Sequence, residues 1–366
     1  MMKICCILNM APHYRMPIFS LMSEHFDCDF YFGDKMQNPI KKLNYNELKG
    51  FKKELHNLFI GPFYWQRKSV RLVFKKCDYF LLVGEPFCLS CWFILLIAKL
   101  LGKKTVTWTH GFYGREGKVK KIVKKTFFKL FTKMLVYNDY AINLMKNEGL
   151  KEDKMYCIAN SLDTDNQLIV RQKLKKTDVF SSHFGNDEPV VFYIGRIQKI
   201  KRLDLLVESF KKLKDAGLKC NLVIVGKDDE NVDLPKIINE LGLESSVWLY
   251  GPCYDEEAIG EMFYNSAVCV SPGNVGLTSI HALTYGCPVV THDNFPYQMP
   301  EFEAITPEVT GGFFKMDDVD DMTEKIRTWL EKTPEERENA RLAAYRTIDS
   351  KWNIHYQIDV MKKVFV

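Results

Sequence analysis

The chain has 366 residues, 46% hydrophobic and 27% charged, a globular balance at a length that asks for about two domains. That excludes a largely disordered chain, and Gly (21) and Pro (14) without a short period exclude collagen-like and low-complexity classes. The net charge of +5 hides an asymmetry: residues 1–150 hold 25 basic and 11 acidic side chains, residues 151–366 hold 26 and 35, so the first half suits an anionic partner.

In chain order, short β-rich runs at 3–8, 27–32, 79–83, 105–109, 134–136 and 155–158 read as strands. Helical patterns lie between several of them, at 87–101, 117–131 and 139–148. The opening apolar run passes at once into Asn9, His13 and Arg15, so it reads as a buried strand and not as a secretory leader. The eleven cysteines sit mostly in apolar strings, as reduced core residues do, and Cys88 and Cys91 form a lone C-x-x-C without a second pair. A reducing, cytoplasmic compartment follows. The longest apolar stretch, 87–101, is broken by Lys99 and is too short to span a bilayer, so a buried helix between two strands is expected.

The second half repeats the scheme. Continuous apolar runs at 190–194, 222–225, 247–249, 268–271 and 289–291 read as buried parallel strands, with helices near 204–216, 235–241, 255–265 and 277–285. The chain is expected to be helical after Asp317. This gives an α/β chain of two doubly wound Rossmann-like domains facing a central cleft. The expected boundaries are 1–165 for the first domain, 166–189 for a linker without a firm period, 190–345 for the second domain, and 346–366 for a terminal helix.

Ligands of doubly wound sheets sit at the C-terminal strand ends. At one such end stands Gly195-Arg196-Ile197-Gln198-Lys199-Ile200-Lys201, where Arg196 and Lys201 suit a diphosphate; the plain alternative is a basic loop before a helix. At another stands Ser271-Pro272-Gly273-Asn274-Val275-Gly276-Leu277-Thr278, a glycine turn opening a helix whose first N–H groups form an anion site. His110 follows a strand directly and is followed by Gly111. There is no P-loop, no dinucleotide G-x-G-x-x-G after a strand and no hydrolase serine order. Asp163-Thr164-Asp165 is literally D-x-D but follows a turn, so no metal site is expected.

These strings resemble the retaining, nucleotide-sugar-dependent glycosyltransferases of family 4, which have the two-domain GT-B fold. The resemblance runs through Gly195-Arg196…Lys201, Val225-Gly226, Tyr250-Gly251, Gly276-Leu277 and Tyr285-Gly286-Cys287-Pro288, and includes His110-Gly111 and Asn160-Ser161-Leu162-Asp163. It implies that Arg196 and Lys201 neutralise the donor diphosphate and that Gly276, Leu277 and Thr278 bind it through backbone N–H groups. His110 would contact the donor sugar, with Gly195, Gly226 and Asn274 completing the donor pocket. It further implies sugar transfer with retention and without a metal, no cofactor beyond the nucleotide-sugar substrate (a UDP-sugar by family frequency), and a terminal helix that crosses back to the first domain.

The sequence departs from the family where two glutamates seven residues apart are usual: Gly273 and His281 stand there. His281 is either a ligand to a hydroxyl or a packed helix residue. Asp293 and Glu301, in the loop after 289–291, are further donor candidates, and His13, Tyr14 and Arg15 are acceptor candidates. The pattern at 117–135 interleaves seven lysines with Val119, Ile122, Val123, Phe127, Phe128, Leu130 and Phe131. It reads either as a basic helix on an anionic membrane surface or as a core-packed helix with a solvated face. The expected partners are a nucleotide-sugar and a glycan or polyprenyl-diphosphate-linked acceptor of cell-surface polysaccharide synthesis, with no nucleic acid, at the cytoplasmic side or on the inner face of the plasma membrane. The alternatives are a nucleotide-sugar epimerase on the same fold and a non-catalytic basic protein that binds membrane or nucleotide.

Overall fold

The computed structural model describes residues 1–37 and 41–366. They form two compact units, Met1–Asp163 with Asn353–Val366, and Thr164–Trp352.

In the first unit, β1 (Lys3–Leu8), α1 (Met16–His25), β2 (Asp27–Gly33) and β3 (Phe51–Leu55) lead to an antiparallel hairpin of β4 (Asn57–Ile60) and β5 (Phe63–Gln66). Then follow β6 (Tyr79–Val83), α2 (Leu89–Leu100), β7 (Lys104–Thr109), α3 (Lys118–Lys129), β8 (Lys133–Val136), α4 (Asp139–Asn147) and β9 (Met155–Cys157). Seven strands make one parallel sheet in the order β3-β2-β1-β6-β7-β8-β9. The Cys-, Ile- and Leu-rich β1 and the apolar β6 are buried almost throughout, as strands covered on both faces must be. Strand order reverses between β1 and β6, which makes their C-terminal ends the switch point where a crevice opens.

Two expectations are corrected here. The helix expected to be buried, α2, hides only Ser90, Cys91, Ile94, Leu95 and Ala98; Phe93, Leu96 and Leu100 face solvent. An apolar run carries no period that separates its two faces. In α3, Val119, Ile122 and Val123 are exposed, while Lys124, Phe127 and Phe128 turn inward. Lys124 can do so because its ammonium bonds Glu116 at 2.6 Å.

The second unit opens with α5 (Thr164–Lys173) and the short α6 (Ser181–Phe184), where residues 166–189 were expected as linker. The buried face of α5 is Thr164, Gln167 and Val170, two of them polar, so no apolar period announces it. Then come β10 (Val190–Ile194), α7 (Leu203–Asp215), β11 (Asn221–Val225), α8 (Leu234–Glu240), β12 (Val247–Gly251), α9 (Glu256–Asn265), β13 (Val268–Ser271) and α10 (Leu277–Thr284). β14 (Val289–His292), β15 (Gly311–Phe314), α11 (Val319–Leu330) and α12 (Pro334–Ser350) complete it. The six strands are parallel in the order β12-β11-β10-β13-β14-β15, with the switch point between β10 and β13. The apolar face of α7, from Leu203 to Leu213, packs with α11 over this sheet.

The final helix α13 (Ile354–Val364) belongs to the first unit. It starts at Asn353, whose side chain accepts the Tyr356 N–H, and not at the expected 346, because α12 runs on to Ser350. Ile354, Ile358, Met361, Val364 and Phe365 join the core beneath β1 and β2. Buried Gln357 donates to the Ala159 carbonyl and accepts from the Ser161 hydroxyl at 2.6 Å. Among the described residues no helix is long and apolar enough to cross a membrane.

Candidate functional site

Each sheet carries a candidate site at its own switch point. In the second unit the ends of β10 and β11 approach closely. Gly195 N–H bonds the Val225 carbonyl at 3.0 Å, and a Cβ on Gly226 would overlap the Gly195 carbonyl oxygen. The close approach therefore demands glycine at 226. Ile197 N–H bonds the Lys227 carbonyl, which turns the chain into a short 3-10 turn, Lys199–Lys201. Glu230 accepts the Lys199 N–H at 2.9 Å and steadies that turn.

Lys201 reaches across the switch point. Its ammonium donates to the Asn274 carbonyl at 2.6 Å and to Asn274 Oδ1 at 2.7 Å. Burial and the neighbouring Arg196 charge lower its pKa to about 8, with Glu301 pulling the other way. The ammonium is thus the dominant form at neutral pH, and a dianion placed beside it would hold it so. Arg196 is exposed.

The glycine turn is pinned from both sides. Gly273 N–H bonds the Lys201 carbonyl at 3.0 Å, and a Cβ at 273 would overlap the Ile200 carbonyl. The position where the resembling family has a glutamate is here filled by the backbone of 200–201, which explains the glycine. Thr291 Oγ1 donates to the Ser271 and Gly273 carbonyls. Buried Gln298 accepts the Val275 N–H at 2.9 Å and donates to Thr291 Oγ1 and the His292 carbonyl. Gly276 (φ 53°) then admits α10, whose first N–H groups have no acceptor within the helix. The Thr278 hydroxyl bonds the Ile194 carbonyl at 3.3 Å, so α10 starts against the end of β10. Two cations and a helix start at one strand junction are an anion site.

The structure sets other candidates apart. His281 Nε2 lies 2.8 Å from Glu256 Oε1, which also accepts from Tyr285 (2.7 Å) and Gln167 (2.9 Å). Of its two readings, the packed helix residue is the one the structure shows: the ring also meets Phe263 at 5.1 Å. The His281 pairing and these hydrogen bonds hold the Glu256 carboxyl at about 2 despite its burial. Asp293 is exposed, and its carboxylate accepts the Met316 N–H at 3.2 Å, closing the end of β15. Glu301 is buried; its carbonyl accepts from Ser279 Oγ, which ties its 3-10 turn to α10.

In the first unit a cavity of about 420 Å³ opens at the ends of β1, β6 and β7. Asn9, Tyr14, Arg15, Glu85, Trp108 and His110 line it. Arg15 is buried, its guanidinium 4.4 Å above the Trp108 ring and bonded to the Tyr137 hydroxyl. The His110 ring lies 4.6 Å from Tyr137 and 6.0 Å from Tyr113, and its buried Nδ1 has no hydrogen-bond partner. Burial, then the charges of Arg15 and Lys124, lower its pKa to about 4, so the imidazole is neutral at physiological pH. Thr109 Oγ1 donates to the Gly84 carbonyl and accepts from Gly111 N–H, which clasps the ends of β6 and β7. Of the three acceptor candidates, Tyr14 and Arg15 line the cavity. His13 does not: it is exposed, and its backbone N–H bonds the Lys41 carbonyl.

The sequence reading missed Glu85. Asn9 Nδ2 (2.8 Å) and the Tyr64 hydroxyl (3.0 Å) fasten its carboxylate, and burial pushes its pKa up. Its signal was its place directly after Gly84, past the strand at 79–83, the same position that drew attention to His110. Aromatic walls with a carboxylate, an amide and a neutral imidazole form a surface suited to a sugar ring and its hydroxyls.

Known proteins fit this geometry. Residues 175–347 match the family model described as glycosyl transferases group 1. A glycosyltransferase of Rickettsia africae superposes at a TM-score of 0.75 with 14% identity, over 100% of this chain and 98% of its own. HepE of Anabaena, solved with UDP, superposes at 0.72 with 13% identity over 99% of each chain. At these identities the likeness shows the fold. Alpha-D-kanosaminyltransferase of Streptomyces kanamyceticus is 31% identical over 111 residues, 30% of this chain and 28% of that protein. A sucrose synthase of Denitrovibrio acetiphilus is 32% identical over 122 residues, 16% of its length. Residues 175–347, most of the second unit, thus carry the model of glycosyl transferases group 1, on a chain that has the GT-B fold throughout.

Proposed function

We propose that the chain is a glycosyltransferase that moves a sugar from a nucleotide diphosphate, UDP by preference, onto a hydroxyl of a glycan or lipid-linked glycan, at the cytoplasmic side. The observation that carries this is the second unit's strand junction, where Lys201, Arg196 and the start of α10 converge. The group 1 family match over that unit supports it, and the UDP bound by HepE supports the choice of base.

In this reading the sugar C1–O bond breaks and its electron pair stays on the diphosphate. Lys201, Arg196 and the N–H groups of Gly276, Leu277 and Thr278 stabilise that charge, an interaction stronger in the transition state than in the ground state. Asn274 holds the Lys201 ammonium in place before the donor arrives, so little reorganisation is needed. The acceptor hydroxyl bonds C1 on the face the diphosphate leaves, and its proton passes to the departing phosphate oxygen. Retention without a bridging metal rests on the motif resemblance. His110, neutral, offers a hydrogen bond to the donor sugar, and Glu85 and Arg15 read the acceptor.

A thermal-shift panel of UDP, GDP, ADP and CMP on the wild type and Arg196→Ala tests the reading. A nucleotide at 100 times its Kd stabilises by about 2.7 kcal/mol. UDP is expected to raise the Tm of the wild type and to lose most of that effect in the variant. Silence from all four nucleotides at millimolar concentration would overturn the donor assignment.

A further inference from the structure

Helix α2 carries Leu89, Phe93, Leu96 and Leu100 on one stripe, at spacings of four, three and four. All four are exposed, Phe93 by 52%, Leu96 by 50% and Leu100 by 86%. Two neighbours extend the stripe. The hairpin of β4 and β5 presents Ile60, 80% exposed, and is tied to α2 through Trp65, 5.3 Å from Phe93, and Phe63, 5.9 Å from Phe87. Helix α3 presents Val119 and Ile122, 76% and 66% exposed, and packs on α2 through Phe127, 5.0 Å from Trp92. Contiguous apolar exposure of this kind marks an interaction surface.

Charge decides what the surface meets. Between Glu85 and Asp139 the sequence holds a single acidic residue, Glu116, and that one is buried against Lys124. Both helices are therefore free of exposed carboxylates. Lys99 on α2 and Lys118, Lys125 and Lys129 on α3 make no ion pair among the described residues. Protein interfaces are depleted in lysine, and a second copy would bring like charges together. A bilayer with anionic headgroups takes both parts of the surface at once: apolar side chains enter the acyl boundary while lysine stems reach up to the phosphates. At 12 residues, α2 lies on such a surface and cannot span it.

We propose that the face formed by α2, α3 and the hairpin tip docks on an anionic lipid bilayer, with Ile60, Phe93, Leu96, Leu100, Val119 and Ile122 entering it and the lysines around them on the headgroups. The docking stands apart from the chemistry proposed above and is measured without a donor.

The test is flotation of the full chain at physiological salt with vesicles of phosphatidylcholine alone or of phosphatidylcholine and phosphatidylglycerol, two parts to one. The wild type is expected to float with the anionic vesicles only. Phe93→Ser/Leu96→Ser/Leu100→Ser is expected to reduce flotation at least about tenfold. Its Tm should hold, because the replaced side chains already face water. Lys118→Gln/Lys125→Gln/Lys129→Gln is expected to weaken it by about fivefold per lysine. Tyr254→Ser, an exposed site in the second unit, should change nothing. Equal flotation with both vesicles, no flotation with either, or a serine variant that floats like the wild type would overturn the proposal. So would sedimentation showing a dimer that the serine variant dissolves while flotation stays as it was; the face would then belong to a second copy.

Discussion

The two switch points are built from different materials. In the second unit the site is mostly backbone: Gly195, Gly226, Gly273 and Gly276 let chain segments close on one another, and N–H groups of a helix start face outward. In the first unit the corresponding place is mostly side chain: an arginine over a tryptophan, a fastened glutamate and an imidazole between two tyrosines. A backbone site tolerates almost no added atom but leaves room for exchange among the side chains around it. A side-chain site is the reverse, and its character depends on how deeply each ionisable group is buried.

The largest expected effect breaks the first half of that contrast. Gly273→Glu restores the residue type of the resembling family, yet its Cβ would run into the 200–201 backbone. It should lose about 3 kcal/mol in urea unfolding and, with Lys201 displaced, most of the nucleotide-induced Tm shift. A variant as stable as the wild type that binds UDP more tightly would show that the turn is not backbone-limited.

Next comes the buried imidazole of the other half. His110 has its pKa lowered from 6.5 to about 4, so protonation favours the unfolded chain. Its contribution to stability is complete above pH 6.5 and is lost as pH falls toward 4, by about 3 kcal/mol in all. Denaturation of the wild type and His110→Asn across that range should show the wild type losing more stability by that amount. Parallel curves would mean that His110 stays accessible to protons in the fold.

The smallest effect sharpens the backbone site. Lys201 must be protonated to meet a diphosphate, and its pKa is about 8. UDP affinity should be flat below pH 8 and fall by at most about tenfold per unit above it. Calorimetry at pH 8.5 in two buffers of different ionisation heat should register proton uptake on binding. No uptake would mean that Lys201 is not the diphosphate's partner.

Much of the fold could be read from the residues because buried parallel strands are continuous apolar runs: β1, β6, β10 and β13 lie where the runs lie. The edge strand β3 was invisible, since Lys52, Lys53 and Glu54 stand in it and face solvent. The hairpin beside it turns on only Gly61 and Pro62, too little punctuation to separate two strands. The outward stripe of α2 escaped notice because a helix apolar all round has no moment to read. At the sites, glycines before and after cations drew attention to the second unit, whereas Glu85 becomes meaningful only once β1 and β6 are known to be neighbours. The glycine at 273 was read as a loss; only the 200–201 backbone shows it to be a steric requirement.

The return of α13 to the first unit has a consequence for how the protein is made. The second unit is encoded without interruption, whereas the first lacks the side chains of Ile354, Ile358, Met361 and Phe365 until the last stretch of message has been translated. Domains usually mature in the order of synthesis. Here the order is inverted: the unit begun first is finished last, and the apolar floor under β1 and β2 stays open to water, and to chaperones, until the ribosome lets go.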